Sequence, residues 1–186
     1  TSIENLSIRA QYAVGKEESG KDDKYTFADV DYKLSPVTIS AQAFSSDLTA
    51  DSDKGSLYGF KVAGKAGMVS LMAAYTTTGD KVAVSTGIGS GADIAYTAEA
   101  ISGGGYAKEV DTDAFKVSVG TKVVGVNLAL AYHSYDHSTD NTKDTATNLT
   151  ASYAFNKEAS IKVMHTAYND DTAQDYRSRV YLSYKF

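Results

Sequence analysis

Residues 6–14 read LSIRAQYAV, a stretch in which apolar and polar side chains alternate one by one. In an extended chain with this sequence, Leu6, Ile8 and Tyr12 lie on one side, while Arg9 and Gln11 point to the other. An alternation with a period of two indicates a β-strand that has one apolar face. The stretch therefore predicts a strand that separates an apolar surface from a polar one.

The same alternation recurs along the chain, and helical spacing fits none of the segments well. The composition agrees, because 14 tyrosines favour half-buried strands and a single proline leaves the β-ladders uninterrupted. No apolar run approaches the ~18 residues of a membrane helix. The ten predicted strands are 6–16, 24–34, 37–46, 56–66, 68–77, 113–123, 124–135, 147–155, 159–168 and 175–186.

Short and long connections between these strands take turns along the chain. This order puts every tight turn at one end of a strand meander and every long loop at the other. The tight connections lie at Pro36, Gly67, Gly125 and Asn156. The long polar ones are 17–23, 47–55, 78–112, 136–146 and 169–174.

The apolar face of the strands carries no Lys, Arg, Asp or Glu, and its aromatic residues lie near the strand ends. A soluble sandwich or a lipocalin-like barrel would show the same alternation, but two aromatic girdles around an aliphatic band are typical of a barrel wall in a bilayer. Backbone groups in lipid must all be paired, which requires a closed sheet. We therefore predict a transmembrane antiparallel up-and-down β-barrel of about ten strands, a single domain over residues 1–186, in a bacterial outer membrane.

Residues 179–186 read RVYLSYKF and carry the alternation to the last residue. Val180, Leu182, Tyr184 and Phe186 resemble the C-terminal insertion signal of outer-membrane barrels, whose hallmark is a terminal aromatic residue. This resemblance implies the barrel assembly machinery as a partner, together with outer-membrane lipid and lipopolysaccharide.

Several segments resemble a known family over the whole chain, namely IENLSIRAQY, FADVDYKLSPVTISAQAF, GSGADIAYTAEA followed by DAFKVSVGTKV, and YRSRVYLSYKF. They look like the second half of the Campylobacter-type major outer membrane porins, within the broader OprD-like group. Such porins have about 18 strands, about twice this length, and commonly form homotrimers. The chain is then either the C-terminal part of such a porin or a shortened relative that closes as ten strands around a narrow, largely filled interior.

The polar face of the strands is predominantly basic, whereas most acidic residues fall in the loops. A charged lining selects solutes in a wide pore, so a basic wall favours small anions or carboxylate-bearing nutrients. The alternative is that these side chains only solvate the interior or pair within it. The predicted pore-lining residues are Arg9, Asp29, Asp31, Lys33, Lys61, Lys65, Lys116, Lys122, Lys162, Arg177 and Arg179.

The connection 78–112 is longer than ordinary loops, and loops of that length are mostly functional or disordered. We predict that it folds into the lumen as a constriction loop, with Tyr96 packing the loop inside the barrel and Asp93 and Glu99 facing the basic wall. The alternative is a mobile surface loop.

The motif HSYDH at 133–137 suggests a different class of function, because Asp136 with His133 and His137 could orient a water molecule or hold a metal. We expect His133 to face the lumen and His137 to lie already in the loop, which favours a solvated rim cluster. The acidic loops suggest at most a weakly bound calcium ion, and no cofactor is expected otherwise.

Together these features predict an outer-membrane porin, a passive channel for small hydrophilic solutes and ions, rather than an enzyme. The net charge of −5 argues against nucleic acid as a partner. The competing hypotheses are a small closed barrel that acts as a protease-like enzyme and an adhesive or structural surface protein.

Overall fold

The computed structural model describes residues 4–16, 22–85, 95–101, 105–169 and 174–185. Ten antiparallel strands form one sheet in sequence order, as predicted. A short 3₁₀ turn, Tyr106–Lys108, lies in the connection after the fifth strand. The strands are β1 (Leu6–Lys16), β2 (Asp22–Leu34), β3 (Val37–Asp47), β4 (Gly55–Ala66), β5 (Val69–Thr78), β6 (Thr112–Val123), β7 (Val126–His137), β8 (Thr142–Ala154), β9 (Ala159–Asn169) and β10 (Gln174–Tyr184). None of the described residues belongs to a helix long and apolar enough to cross a membrane.

The strand boundaries differ from the predicted ones mainly around β7 and β8. Strand β7 begins at Val126, and not at 124 as predicted, because Val124 and Gly125 form the turn, with φ values of 49° and 83°. Strand β8 begins at Thr142 instead of 147, and β7 extends to His137 instead of 135. Apart from Ala146, these extra residues are polar on both faces, so backbone pairing continues the strands where the apolar alternation has ended.

The register places the predicted apolar residues on one face of the sheet, here called the outer face. Ile8 pairs with Val30, and Val117 pairs with Tyr132. Large apolar side chains stand exposed on this face, such as Ile8 at 68% and Leu182 at 77%. A water-soluble protein rarely exposes so extensive an apolar surface, whereas a wall that faces lipid requires it.

The opposite, inner face carries the buried core, at the long-loop end of the strands. Phe27, Phe44, Leu57, Tyr135 and Tyr168 are buried there. Residues of the long connection pack against them and complete the core, namely Val84, Ala95, Ala98 and Ala107. The connection thus covers the long-loop half of the inner face and leaves the turn half uncovered.

The sheet is open among the described residues, because β1 pairs only with β2 and β10 pairs only with β9. The alternative of a sheet that closes on itself as ten strands is therefore not what the structure shows. A wall with two free edges fits a part of a larger barrel, since a bilayer tolerates no unpaired backbone in lipid.

Candidate functional site

Residues 95–101, here called the strap, lie against the inner face of the sheet. The strap is tied to three strands by side chains that project inward. Thr97 Oγ1 shares a hydrogen bond of 2.5 Å with Thr76 Oγ1 of β5, and Thr97 O lies 2.8 Å from His133 Nδ1 of β7. Further along, the backbone N–H of Ala100 donates to Asn148 Oδ1 of β8 at 3.2 Å.

Two of the predicted pore-lining lysines are bound to the strap. Lys116 Nζ donates to the carbonyl oxygen of Ala98 at 2.8 Å, and Lys61 Nζ lies 4.1 Å from the centre of the Tyr96 ring. An ammonium over a ring face is attracted by the negative π surface. Both cations therefore help to hold the strap against the inner face of the sheet.

Glu99, a residue of the strap itself, is buried, with 3% of the residue exposed. Its Oε2 accepts a hydrogen bond from Tyr135 OH at 3.1 Å. The same hydroxyl also lies 3.2 Å from Thr97 O. Glu99 thus faces the wall, while Asp93, the other acidic residue of the predicted constriction, lies outside the described residues.

Arg9 forms a compact ion cluster with Asp29 and Asp31 on β1 and β2. Its Nε donates to Asp29 Oδ1 at 2.8 Å, its Nη2 pairs with the other oxygen of that carboxylate, and the same Nη2 lies 3.9 Å from Asp31 Oδ2. The Ser40 hydroxyl also donates to Asp31. A bidentate guanidinium–carboxylate pair is the strongest geometry for such contacts, so the charge of Arg9 is largely compensated.

Tyr96 of the strap lies beside this cluster. Burial, together with the negative charges of Asp29 and Asp31, raises the pKa of Tyr96 to about 12. The phenol therefore stays neutral at any physiological pH, and its hydroxyl oxygen is buried without a hydrogen-bond partner among the described residues.

The turn half of the inner face carries lysines that the strap does not cover. Lys65, Lys122 and Lys162 are exposed there. The register places Lys65 opposite Ser70 and Lys122 opposite Asn127, while Ser152 lies opposite Lys162. A cavity of about 720 Å³ opens over this region. It is lined by Lys65, Ser70, Lys122, Asn127, Thr150 and Ser152.

The remaining predicted pore-lining residues lie near the two edges of the sheet. Arg177 pairs with Asp175 at 3.1 Å, and its guanidinium lies 5.2 Å from the Tyr168 ring. Arg179 Nη1 donates to Tyr181 OH at 3.2 Å. Lys33 is exposed near the turn between β2 and β3. Of the predicted insertion signal, Val180, Leu182 and Tyr184 are exposed on the outer face, and Phe186 lies outside the described residues.

The three residues considered for catalysis do not converge on one side of the sheet. His133 is completely buried under the strap, and Asp136 lies exposed on the opposite, outer face. The prediction that His137 lies in the loop is wrong, because β7 ends at this residue. Its Nε2 is 3.2 Å from Asp144 Oδ2 and its Nδ1 is 2.8 Å from Thr112 Oγ1.

A third partner of His137 is Glu109, whose Oε2 lies 3.5 Å from Nδ1. Burial raises the pKa of the Glu109 carboxyl, an effect that the nearby imidazole opposes. Among the described residues, no three His, Asp or Glu side chains form a metal-binding group. The acidic loop 169–175, which suggested calcium, lies largely outside the described residues, so that suggestion stays a prediction.

Sequence reasoning missed the residues that anchor the strap, including Thr76, Tyr135 and Asn148. All three occupy inward positions of predicted strands, but a hydroxyl or amide at such a position does not reveal its partner. Only the folded path of the connection shows which of them it contacts.

Comparisons with known proteins place these features in context. The family model described as Gram-negative porin matches residues 1–174. No curated protein matches the sequence significantly.

Several solved outer-membrane proteins have a similar fold. OccK8 (OprE) of Pseudomonas aeruginosa has a TM-score of 0.70 at 14% identity over 99% of this chain and 55% of its own. OccAB4 of Acinetobacter baumannii has a TM-score of 0.68 at 15% identity over 96% and 49%. The anion-selective porin from Comamonas acidovorans has a TM-score of 0.66 at 12% identity over 100% and 53%. The chain thus spans about half the length of these proteins, and at such identities the likeness concerns the fold.

Proposed function

The chain belongs to the Gram-negative porin family, and we propose that it forms part of the wall of an outer-membrane channel through which small hydrophilic solutes diffuse. Membership of this family confirms the predicted resemblance to outer-membrane porins and the predicted location in the outer membrane. The solutes and the partners are proposals, because the chain spans about half of the solved structures that it matches.

The observation that carries this proposal is the contrast between the two faces of the sheet. The outer face exposes aliphatic and aromatic side chains, and the inner face carries lysines, arginines, hydroxyls and amides. Such a wall is stable when lipid covers one side and water the other. A polar face of this kind bounds an aqueous path.

We further propose that the connection after β5 narrows this path. The strap lies across the inner face and is held by hydrogen bonds to Thr76, His133, Tyr135 and Asn148. Since these four anchors come from three strands, β5, β7 and β8, the strap is fixed at several points along its length. A segment held in this way keeps its position, so the width of the lumen at this level stays constant.

The charge of the inner face supports a preference for anions. Asp29 and Asp31, the acidic residues predicted to line the pore, both lie against Arg9, so this cluster carries one net negative charge instead of two. The exposed charges that remain on the turn half are cationic, as at Lys65, Lys122 and Lys162. A lining of one sign raises the local concentration of ions of the opposite sign.

Passive diffusion needs no catalytic group, and we propose a channel without enzymatic activity. His133, Asp136 and His137 face different environments, which supports a structural role for the two histidines. Homotrimer formation, contact with lipopolysaccharide and handling by the barrel assembly machinery remain proposals that follow from the family.

Single-channel recording in planar bilayers tests the proposed channel. We expect the protein, purified as it occurs in its outer membrane, to give discrete conductance steps and a reversal potential that favours chloride in a KCl gradient. Replacing Lys162 and Arg179 by Gln removes two exposed cations from the inner face and should shift that potential toward cations.

A control variant with Lys143→Gln and Lys157→Gln removes the same charge away from the inner face and should leave the potential unchanged. Inserted protein that carries no current would refute the channel. A reversal potential that shifts equally in both variants would refute the assignment of the inner face as the lining of the channel.

A further inference from the structure

The cations of the inner face divide into two groups that sequence alone does not distinguish. At the level of the strap, Arg9, Lys61 and Lys116 each have a partner, namely Asp29, the Tyr96 ring and the Ala98 carbonyl oxygen. On the turn half, the side chains of Lys65 and Lys122 form no ion pair or hydrogen bond with any residue that the structure describes. The second group is therefore free to contact a solute.

Lys65 and Lys122 line a cavity of mixed character, in which several hydrogen-bonding groups lie among apolar residues such as Met68 and Leu128. The 720 Å³ cavity brings together these two ammonium groups, the hydroxyls of Ser70, Thr150 and Ser152, and the amide of Asn127. Asn127 Nδ2 and Ser152 Oγ lie 3.5 Å apart, which aligns both groups on the same wall. Among the described residues, the lining of this cavity contains no Asp or Glu.

The chemistry of these groups distinguishes between classes of anion. An arginine fork binds carboxylates and phosphates in a bidentate, planar manner, whereas a lysine ammonium is a point charge that imposes no such plane on its anion. The fork of Arg9 is already occupied by Asp29, and the cavity lining contains no arginine. Hydroxyl and amide donors around two ammonium groups suit an anion whose oxygens point in several directions.

We propose that this turn-half pocket is a binding site for a solute that carries a phosphate or sulfonate-like oxyanion group. The inference rests on the proposed channel, because the pocket then lies in the aqueous path on the turn side of the strap. An oxyanion held by Lys65 and Lys122 stops in front of the strap and delays the passage of smaller anions. The site is saturable, in contrast to the diffuse charge of the remaining wall.

Block of the chloride current tests the site. Inorganic phosphate should reduce the single-channel chloride current of the unaltered protein in a saturable manner. The pair methanesulfonate and acetate carries the same charge but differs in the number of oxygens, so methanesulfonate should block at a lower concentration. Equal block by these two monoanions would overturn the proposal, even if no variant could be prepared.

The double variant Lys65→Gln with Lys122→Gln should raise the concentration of phosphate for half block about tenfold or more, since two charged contacts are lost. The matched control Lys157→Gln with Lys185→Gln removes the same charge at the same end but outside the pocket and should keep the block within about twofold. An unchanged block in the first variant would overturn the site.

Isothermal titration of phosphate into the protein in detergent separates failure of the site from failure of the channel. Saturable phosphate binding that the Lys65 and Lys122 substitutions abolish supports the pocket whether or not the protein conducts. Absence of saturable binding in the unaltered protein refutes the pocket and leaves the proposed channel untouched.

Discussion

Arg9 illustrates what a residue's position in the sequence does and does not reveal. The period-two pattern places its side chain on the polar face, and the structure agrees. The pattern does not show that Asp29, on the neighbouring strand, binds the guanidinium through both oxygens. An ion pair across two strands depends on the register, which only the paired structure provides.

A substitution at Asp29 tests this compensation. Asp29→Asn removes the main counter-charge of Arg9 and should raise the ratio of anion to cation permeability about twofold, because an uncompensated charge acts on ions within a Debye length of ~10 Å. The reversal potential in a KCl gradient measures the effect. The matched control is Asp136→Asn, which removes the same charge on the outer face. An equal change of the reversal potential in both variants would show that the charge of Asp29 acts on permeating ions no more strongly than a charge on the outer face.

The strands are the elements that sequence reasoning predicts best. Alternation of Leu6, Ile8 and Tyr12 with Arg9 and Gln11 determines both the strand and its orientation, because one face is apolar. The pattern fails where strands leave the apolar zone, as at Thr142 in β8, since polar residues on both faces carry no period. Backbone pairing continues there without any signal in the side chains.

The strap is the element whose position could not be predicted in detail. Its sequence, AYTAEAI, has no strong period, and its fixation depends on His133, Lys116 and Asn148, which lie far along the chain. The length of the connection indicated an inward loop but not its path. Packing of the strap against the folded sheet determines which carbonyl oxygen accepts the hydrogen bond from Lys116.

Removing the strap tests its proposed role as the constriction. Replacing residues 95–101 by a short Gly-Ser linker should raise the single-channel conductance severalfold, because the narrowest part of an aqueous path dominates its resistance. A scrambled strap of the same length, with Thr97 and Glu99 exchanged for other polar residues, serves as control for loop length. A conductance that stays the same after removal would place the constriction elsewhere.

At the scale of the whole molecule, the two faces of the sheet and its two open edges belong together. A wall with Ile8 and Leu182 exposed on one side is not stable in water as an isolated sheet. The free edges of β1 and β10 also require partners in lipid, where each unpaired backbone group costs several kcal/mol. Sequence reasoning predicted the two faces from alternation, but the open edges appear only in the three-dimensional pairing.

The central assertion is that lipid covers the outer face and water the inner one, and labelling of single cysteines in lipid bilayers tests it most directly. The chain has no native cysteine, so one cysteine at a time can be placed along β7. We expect a water-soluble maleimide to label cysteines at Asn127, Ala129 and Ala131 and to leave those at Leu128, Leu130 and Tyr132 unlabelled. Uniform labelling along the strand, or labelling of the second set instead of the first, would contradict the account.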